Sequence, residues 1–202
     1  GRVIRVPEGL KTRPTLSKLR QALFNSAQFQ VAEATCVLDL FAGSGALGFE
    51  ALSRGAQHAV FVDSSQRACQ LISANARDLG VQKRVTILQL PVEEALRRCE
   101  KIGPFDLVLV DPPYEGGWEL RVLQDMDWDR LLLDSTLLFL EWSVVKSKEF
   151  GKEGLPEQVR HLVKARERTY GDTVLTTYRF VRSENGANSH DSIPKVPETP
   201  EE

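Results

Sequence analysis

Residues 35–56, TCVLDLFAGSGALGFEALSRGA, decide the fold of this chain. The apolar run 35–40 predicts a buried β-strand, the FAGSG segment predicts a tight turn, and residues 46–56 predict a helix closed by Gly55. The same order recurs, with strands predicted at 58–63, 84–90 and 105–111 and helices at 66–80 and 92–100. Continuous apolar strands, each followed by a helix, indicate an α/β fold with a parallel sheet covered on both faces.

The flanking segments extend this architecture. A fifth strand is expected at LLFLEW (137–142), and the segments 163–170 and 173–181 predict an antiparallel hairpin around Gly171 and Asp172. Residues 1–30 predict an N-terminal extension with a short strand (3–6) and a helix (16–28), and residues 31–182 form the main domain. Residues 183–202 are polar and predict a disordered acidic tail, because too few large apolar side chains are present to offset the entropy of ordering.

The composition argues against several classes of protein. The chain has 202 residues, 42% of them hydrophobic and 27% charged, which is ordinary for a domain with a buried core. It lacks an apolar run long enough to cross a membrane, and its N-terminus lacks the apolar centre of a signal peptide. The three cysteines and three histidines show no metal-ligand spacing. We therefore expect a cytoplasmic monomer with no membrane partner and no metal.

The distribution of charge is more informative than the formal net charge of -2. Residues 1–30 carry a net charge of +5 and residues 146–182 a net charge of +4, whereas residues 31–145 are acidic overall. If the fold brings the two basic segments together, they form a positive face suited to nucleic acid. A surface of scattered, solvated charges is the alternative that charge alone leaves open.

The glycine-rich turn predicts a ligand site at the carboxyl ends of the strands, where sheets of this kind bind ligands. Asp39 ends the first strand, and Asp63 ends the second at a position where a carboxylate can hold ribose hydroxyls. Taken alone, the turn fits NAD, or a turn with no ligand. The acid before the loop, and Ala42 in place of one expected glycine, favour S-adenosylmethionine (SAM), which carries an ammonium group and no pyrophosphate.

The segment FDLVLVDPPY (105–114) is the most specific feature of the chain. Asp111 directly follows a buried strand, and the two prolines after it stiffen the turn and lack N–H groups. A flat nitrogen-bearing group can stack on Tyr114 while its NH2 donates to the Asp111 carboxylate and to the Pro112 carbonyl. This arrangement directs the nitrogen lone pair at a methyl donor. A Pro-Pro strand end with a solvated tyrosine is the alternative.

These motifs resemble SAM-dependent amino methyltransferases with a (D/N)PP(Y/F) signature, and more closely the bacterial family that methylates the exocyclic N2 of a guanine in 16S ribosomal RNA. Four stretches carry the resemblance: TRPTLSKLRQALFN (12–25), VLDLFAGSGALGFEALSRGA (37–56), LVLVDPPY (107–114) and RTYGDTVLTTY (168–178). It implies a Rossmann-like, seven-stranded SAM-dependent methyltransferase fold with a short N-terminal extension. It also implies that the partner is 16S rRNA or a small-subunit assembly intermediate.

Residue by residue, the resemblance implies three sets of site residues. The catalytic motif falls on Asp111, Pro112, Pro113 and Tyr114. The substrate-binding segment falls on Arg13, Pro14, Thr15 and Arg20. The cofactor-binding set falls on Asp39, Phe41, Ala42, Gly43, Ser44, Gly45, Asp63, Ser64, Pro91 and Val92.

One position departs from the family pattern. The family usually places an Asp after the third strand to accept from the adenine amine, whereas this chain has Pro91. Backbone groups, or Glu93 in a shifted register, are the alternative holders of adenine. Three functions therefore stay open, namely an rRNA guanine-N2 methyltransferase, an amino methyltransferase on DNA adenine or protein glutamine, and a non-catalytic RNA-binding assembly factor. The first is the predicted function.

Overall fold

A computed structural model describes residues 23–24, 36–146 and 154–182. The predicted strand at 3–6, most of the helix at 16–28 and the tail lie outside these residues. The described elements are β1 (Cys36–Leu40), α1 (Ala46–Ser53), β2 (His58–Asp63), α2 (Gln66–Leu79), a 3-10 turn (Gln82–Arg84), β3 (Val85–Gln89), α3 (Val92–Cys99), β4 (Phe105–Val110), α4 (Trp118–Gln124), β5 (Leu132–Ser143), β6 (Gln158–Val159), β7 (Leu162–Tyr170) and β8 (Thr173–Phe180).

The strands form one sheet in the order β3-β2-β1-β4-β5-β8-β7-β6. The first five are parallel, and β8, β7 and β6 continue the sheet as antiparallel strands. The Rossmann-like α/β fold and the hairpin around Gly171 are thereby confirmed. The described part of the chain has eight strands rather than seven, because the two-residue strand β6 pairs with β7 at the sheet edge.

Side chains alternate along the parallel strands and fill two hydrophobic layers. Leu38 and Leu40 of β1 pack on one face with residues of α3 and α4. Val37 packs on the opposite face with residues of α1 and α2, and Leu23 and Phe24 of the N-terminal extension are buried there too. We call this second side the α1 face. Leu23 and Phe24 therefore lie on the face toward which Asp39, two residues after Val37, also points.

The order of the strands places a crevice between β1 and β4. From β1, the chain proceeds outward through β2 and β3, and then returns to place β4 on the other side of β1. The loops that leave the carboxyl ends of β1 and β4 consequently diverge, which opens a space for a ligand. No helix within the described ranges is long and apolar enough to cross a membrane.

Candidate functional site

Four acidic side chains lie at the carboxyl ends of neighbouring strands. Asp39 and Asp63 end β1 and β2, Asp111 follows β4, and Glu141 lies near the end of β5. The register pairs Leu40 of β1 with residues 62 and 110, and it pairs Val110 of β4 with residue 140 of β5. Asp111 and Glu141 are thus neighbours on adjacent parallel strands, and the acids line one edge of the sheet.

The turn after β1 has a left-handed backbone at three positions, and its amides donate to acceptors within the protein. Phe41, Gly43 and Gly45 have φ values of 57°, 55° and 78°, in the left-handed region. Gly45 begins α1, and its N–H donates to the Ala42 carbonyl at 2.7 Å. The Ala42 N–H donates to the Val62 carbonyl at 3.0 Å, which ties the loop to β2. Glycine meets this requirement without strain, whereas Phe41 adopts it against its ordinary preference.

Gly48 lets α1 lie directly against the end of β1. Its N–H donates to Oδ2 of Asp39 at 2.9 Å. A Cβ atom at this position would collide with the buried ring of Phe61 and would lie 3.0 Å from Oδ2 of Asp39. The absence of a side chain therefore brings the helix close enough to hold the Asp39 carboxyl by a backbone hydrogen bond.

Asp63 and Asn75 brace the glycine loop from the side. The two carboxylate oxygens of Asp63 accept from the backbone N–H groups of Gly43 and Ser65, each at 2.8 Å. The side-chain amide of Asn75, buried in α2, donates to the Ser44 carbonyl at 3.1 Å. Asp63 is therefore a structural support of the loop, and the exposed Ser64 follows it at the rim of the crevice.

Burial shifts the pKa values of the acids that face the crevice. Burial raises the pKa of Asp39 well above its ordinary value; the Gly48 N–H opposes this rise, and the charges of Asp111 and Asp63 add to it. Burial raises the pKa of Asp111 to about 6. Burial and the charge of Asp111 raise the pKa of Glu141 to about 8. A crevice of this kind favours cationic ligands and ligands rich in N–H donors, because both relieve the cost of the buried negative charges.

The DPPY segment turns away from β4 with its first proline buried and its second exposed. Neither proline has an N–H group, so neither can donate a backbone hydrogen bond to the Asp111 carboxyl. The ammonium of Lys146 lies 4.4 Å from the centre of the Tyr114 ring. One face of the ring is therefore in contact with a cation that follows β5.

Pro91 caps the N-terminus of α3, on one side of the crevice. Pro91 precedes α3 and its carbonyl accepts from the backbone N–H groups of residues 94 and 95, at 3.1 and 2.9 Å, while Val92 is buried. Oε1 of Glu93 accepts from the Arg121 guanidinium at 2.6 Å. That guanidinium lies 3.9 Å from the centre of the Trp118 ring. Because the Glu93 carboxylate is engaged by Arg121, backbone groups are the better candidates for holding an adenine.

The Trp118 ring also meets Phe41 edge to face, with 5.1 Å between ring centres. Phe41 thereby connects the glycine loop to α4. This contact, together with packing against the core on the α3 and α4 side, holds a bulky residue in a left-handed conformation at the start of the loop.

The structure brings together the predicted cofactor-binding and catalytic residues but does not describe the substrate-binding segment. The four predicted residues of that segment, Arg13, Pro14, Thr15 and Arg20, lie outside the described residues. Sequence reasoning missed Glu141, Gly48 and Asn75. The signal for Glu141 was present, since it is an acid inside the apolar run LLFLEW. Among the residues that the structure describes, no group of His, Cys, Asp or Glu side chains has an arrangement that could hold a metal ion.

Comparisons with known proteins identify a family and named relatives. The family model described as conserved hypothetical protein 95 matches residues 1–179. A Bacillus subtilis (strain 168) protein named as a candidate rRNA methyltransferase, YlbH, is 34% identical over 182 residues, which cover 89% of this chain and 94% of the relative. The Escherichia coli (strain K12) protein named ribosomal RNA small subunit methyltransferase D is 31% identical over 182 residues, which cover 89% of this chain and 85% of the relative. A solved Escherichia coli structure, described as a candidate methyltransferase, yhhF, superposes with a TM-score of 0.72 at 31% sequence identity. The superposition covers 90% of this chain and 93% of that chain.

Proposed function

The chain belongs to the conserved hypothetical protein 95 family, and from this and the site we propose that it is a SAM-dependent methyltransferase of small-subunit rRNA. The proposed reaction is transfer of a methyl group to the exocyclic N2 of a guanine in 16S rRNA. The observation that carries the proposal is the position of Asp111, which follows β4 directly beside the end of β1 and whose charge acts on Asp39 under the glycine loop. The relatives named as rRNA methyltransferases support the choice of substrate.

The residues of the glycine loop fit SAM. The Asp39 carboxyl is 1% exposed, and the described hydrogen bond to it comes from Gly48 alone, so it can still accept from an ammonium group. The negative charges of Asp63 and Asp111 favour a cationic ligand at the same place. When bound there, SAM supplies a methyl carbon activated by its sulfonium and leaves as S-adenosylhomocysteine.

Asp111 and Pro112 orient the acceptor amine. An NH2 group that donates one proton to the Asp111 carboxylate and the other to the Pro112 carbonyl has its lone pair directed away from both, toward the glycine loop. Positioning and a field that favours the developing ammonium supply most of the catalysis. Because burial raises the pKa of Asp111 to about 6, this carboxylate can also take the proton that the amine loses after methylation.

The N-terminal extension is the proposed RNA-binding side. Leu23 and Phe24 of the extension lie on the α1 face, toward which Asp39 points. Residues 1–30 carry a net charge of +5, which suits phosphate contacts, and Arg13 is the residue we assign to them first. The target guanine must leave its stack to reach Asp111, so we propose a loop nucleotide in an rRNA or small-subunit assembly intermediate, in the cytoplasm.

Substitution of Asp111 with alanine tests this assignment. We expect the Asp111→Ala variant to lose methyl transfer to 16S rRNA by about 100- to 1000-fold, in line with removal of one group that acts in the transition state. SAM binding, measured by isothermal titration calorimetry, should stay within about threefold of wild type, because Asp39 and the loop are unchanged. Asp106→Asn, at the opposite end of β4, is the matched control. Full activity of the Asp111→Ala variant would refute the assigned role.

A further inference from the structure

Glu141 is a buried acid that the reaction described above does not use. Its side chain is 6% exposed, although it lies in the apolar strand β5 between Leu140 and Trp142. Among the described residues, no hydrogen bond or ion pair reaches its carboxyl. A carboxyl that receives no donor from the described residues can accept a hydrogen bond from a ligand, which offsets the cost of its burial.

Glu141 lies on the face of the sheet next to Asp111, the first residue of the DPPY turn. Leu137 and Phe139 of β5 pack on the α1 face, and alternation places Glu141 on this face as well. Its partner on β8 is the apolar Leu175, and Asp111, the residue after the last β4–β5 pair, acts on it through its charge. The two prolines after Asp111 provide no N–H group to satisfy either acid.

We propose that Glu141 accepts the ring N1–H of the target guanine while Asp111 and the Pro112 carbonyl accept the two N2 protons. This inference rests on the proposed function. Guanine presents three adjacent donors on this edge, one at N1 and two at N2, which match the three acceptors. In adenine and cytosine the ring nitrogen beside the amine is itself an acceptor, and its lone pair would face the Glu141 carboxyl. Glu141 is thereby a specificity-determining residue that selects guanine among the bases with an exocyclic amine.

The raised pKa of Glu141 is consistent with this role. Burial and the charge of Asp111 hold its pKa at about 8 before a ligand is present. Donation from N1–H stabilises the carboxylate, so binding of guanine returns the pKa toward its ordinary value. A base with a lone pair at that position is instead bound by the protonated carboxyl, whose O–H donates to it, so the choice between the bases is measured at about pH 8.5, above the pKa of the free carboxyl.

Replacement of the target guanine by 2-aminopurine tests the inference. This base keeps the exocyclic amine but has a lone pair at N1. The two substrates are 16S rRNA molecules assembled by ligation, with guanine or 2-aminopurine at the position that the wild-type enzyme methylates. We expect wild type to prefer guanine in kcat/KM by about 10- to 100-fold, the range expected for one hydrogen bond to a charged group. Glu141→Ala should lose most of this preference.

The conservative variant Glu141→Gln distinguishes the proposed role from a general loss of folding. Its amide has the shape of the carboxyl, and its NH2 can donate to the N1 lone pair of 2-aminopurine. The guanine preference should therefore fall by about tenfold or more even where total activity is high. A merely structural role of Glu141 would lower activity on both bases equally and leave the ratio unchanged. Asp106→Asn should keep the wild-type ratio.

The results separate this inference from the function on which it rests. If wild type methylates the guanine substrate with a clear preference and both Glu141 variants keep that preference, the role of Glu141 is wrong and the proposed function stands. If wild type does not discriminate between the two bases, the N1–H contact is likewise wrong. If wild type transfers no methyl group to either RNA, both the function and the inference fail.

Discussion

Replacement of Glu141 by glutamine is expected to stabilise the fold by an amount that grows with pH. The glutamine side chain keeps the size and shape of the carboxyl but cannot ionise. In the wild-type protein, burial and the charge of Asp111 raise the pKa of Glu141 from 4.5 to about 8. The described charged group that faces Glu141 is Asp111, since its β8 neighbour Leu175 is apolar.

The magnitude follows from the linkage between proton binding and folding. Because the pKa is raised in the folded state, the folded protein holds a proton that the unfolded chain releases between pH 4.5 and about 8. Wild-type stability therefore falls as pH rises through this window, at about 1.4 kcal/mol per pH unit. The Glu141→Gln variant lacks this contribution. Its stability relative to wild type should increase by about 3 kcal/mol between pH 4.5 and pH 7.

Urea denaturation at pH 4.5, 6, 7 and 8, followed by circular dichroism, measures this difference. Glu115→Gln is the control, because Glu115 is exposed and close in sequence to the DPPY turn. Its effect should stay within about 0.5 kcal/mol at each pH. A stability difference between wild type and Glu141→Gln that does not change with pH would contradict the burial of an ionisable group at this position.

Three further predictions concern the loop and the RNA-binding side. Asp63→Asn removes one of the two acceptors that hold the Gly43 and Ser65 amides, so SAM affinity measured by titration calorimetry should fall by about tenfold; unchanged affinity would contradict the bracing role. Gly48→Ala places a methyl group against the buried Phe61 ring and should lower the free energy of unfolding by about 1–3 kcal/mol in urea titrations, whereas a more stable variant would refute the close packing of α1. Arg13→Ala should weaken RNA binding in filter-binding assays more than it weakens SAM binding, and equal effects on both would count against a substrate role.

Much of the fold follows from local sequence patterns. Strands β1 to β4 are continuous apolar runs bounded by turns, and the Gly171-Asp172 pair predicts the hairpin that the structure contains. Two elements were missed because their signals are weak. Helix α4 (Trp118–Gln124) has seven residues and follows two glycines, and β6 (Gln158–Val159) has two residues and depends on β7 for its existence.

The residues of the candidate site that belong to a local motif could be predicted from the sequence. Those that reach the site from a distant element could not. The glycine loop and the DPPY turn can be recognised in the sequence because glycine and proline have unusual backbone properties. Asn75, by contrast, reaches Ser44 from 31 positions away, and no local pattern indicates which polar residue of α2 faces the loop. Glu141 is recognisable as a site residue only after the register sets β5 beside β4 and so places it next to Asp111. These contacts depend on tertiary packing, which a single sequence does not specify locally.

The most direct test is mass-spectrometric mapping of modified nucleosides in 16S rRNA from cells that lack this protein. One guanine should lose its N2 methyl group, and the wild-type gene should restore it whereas the Asp111→Ala gene should not. An rRNA whose methylated guanines are the same with and without the protein would contradict the proposed reaction.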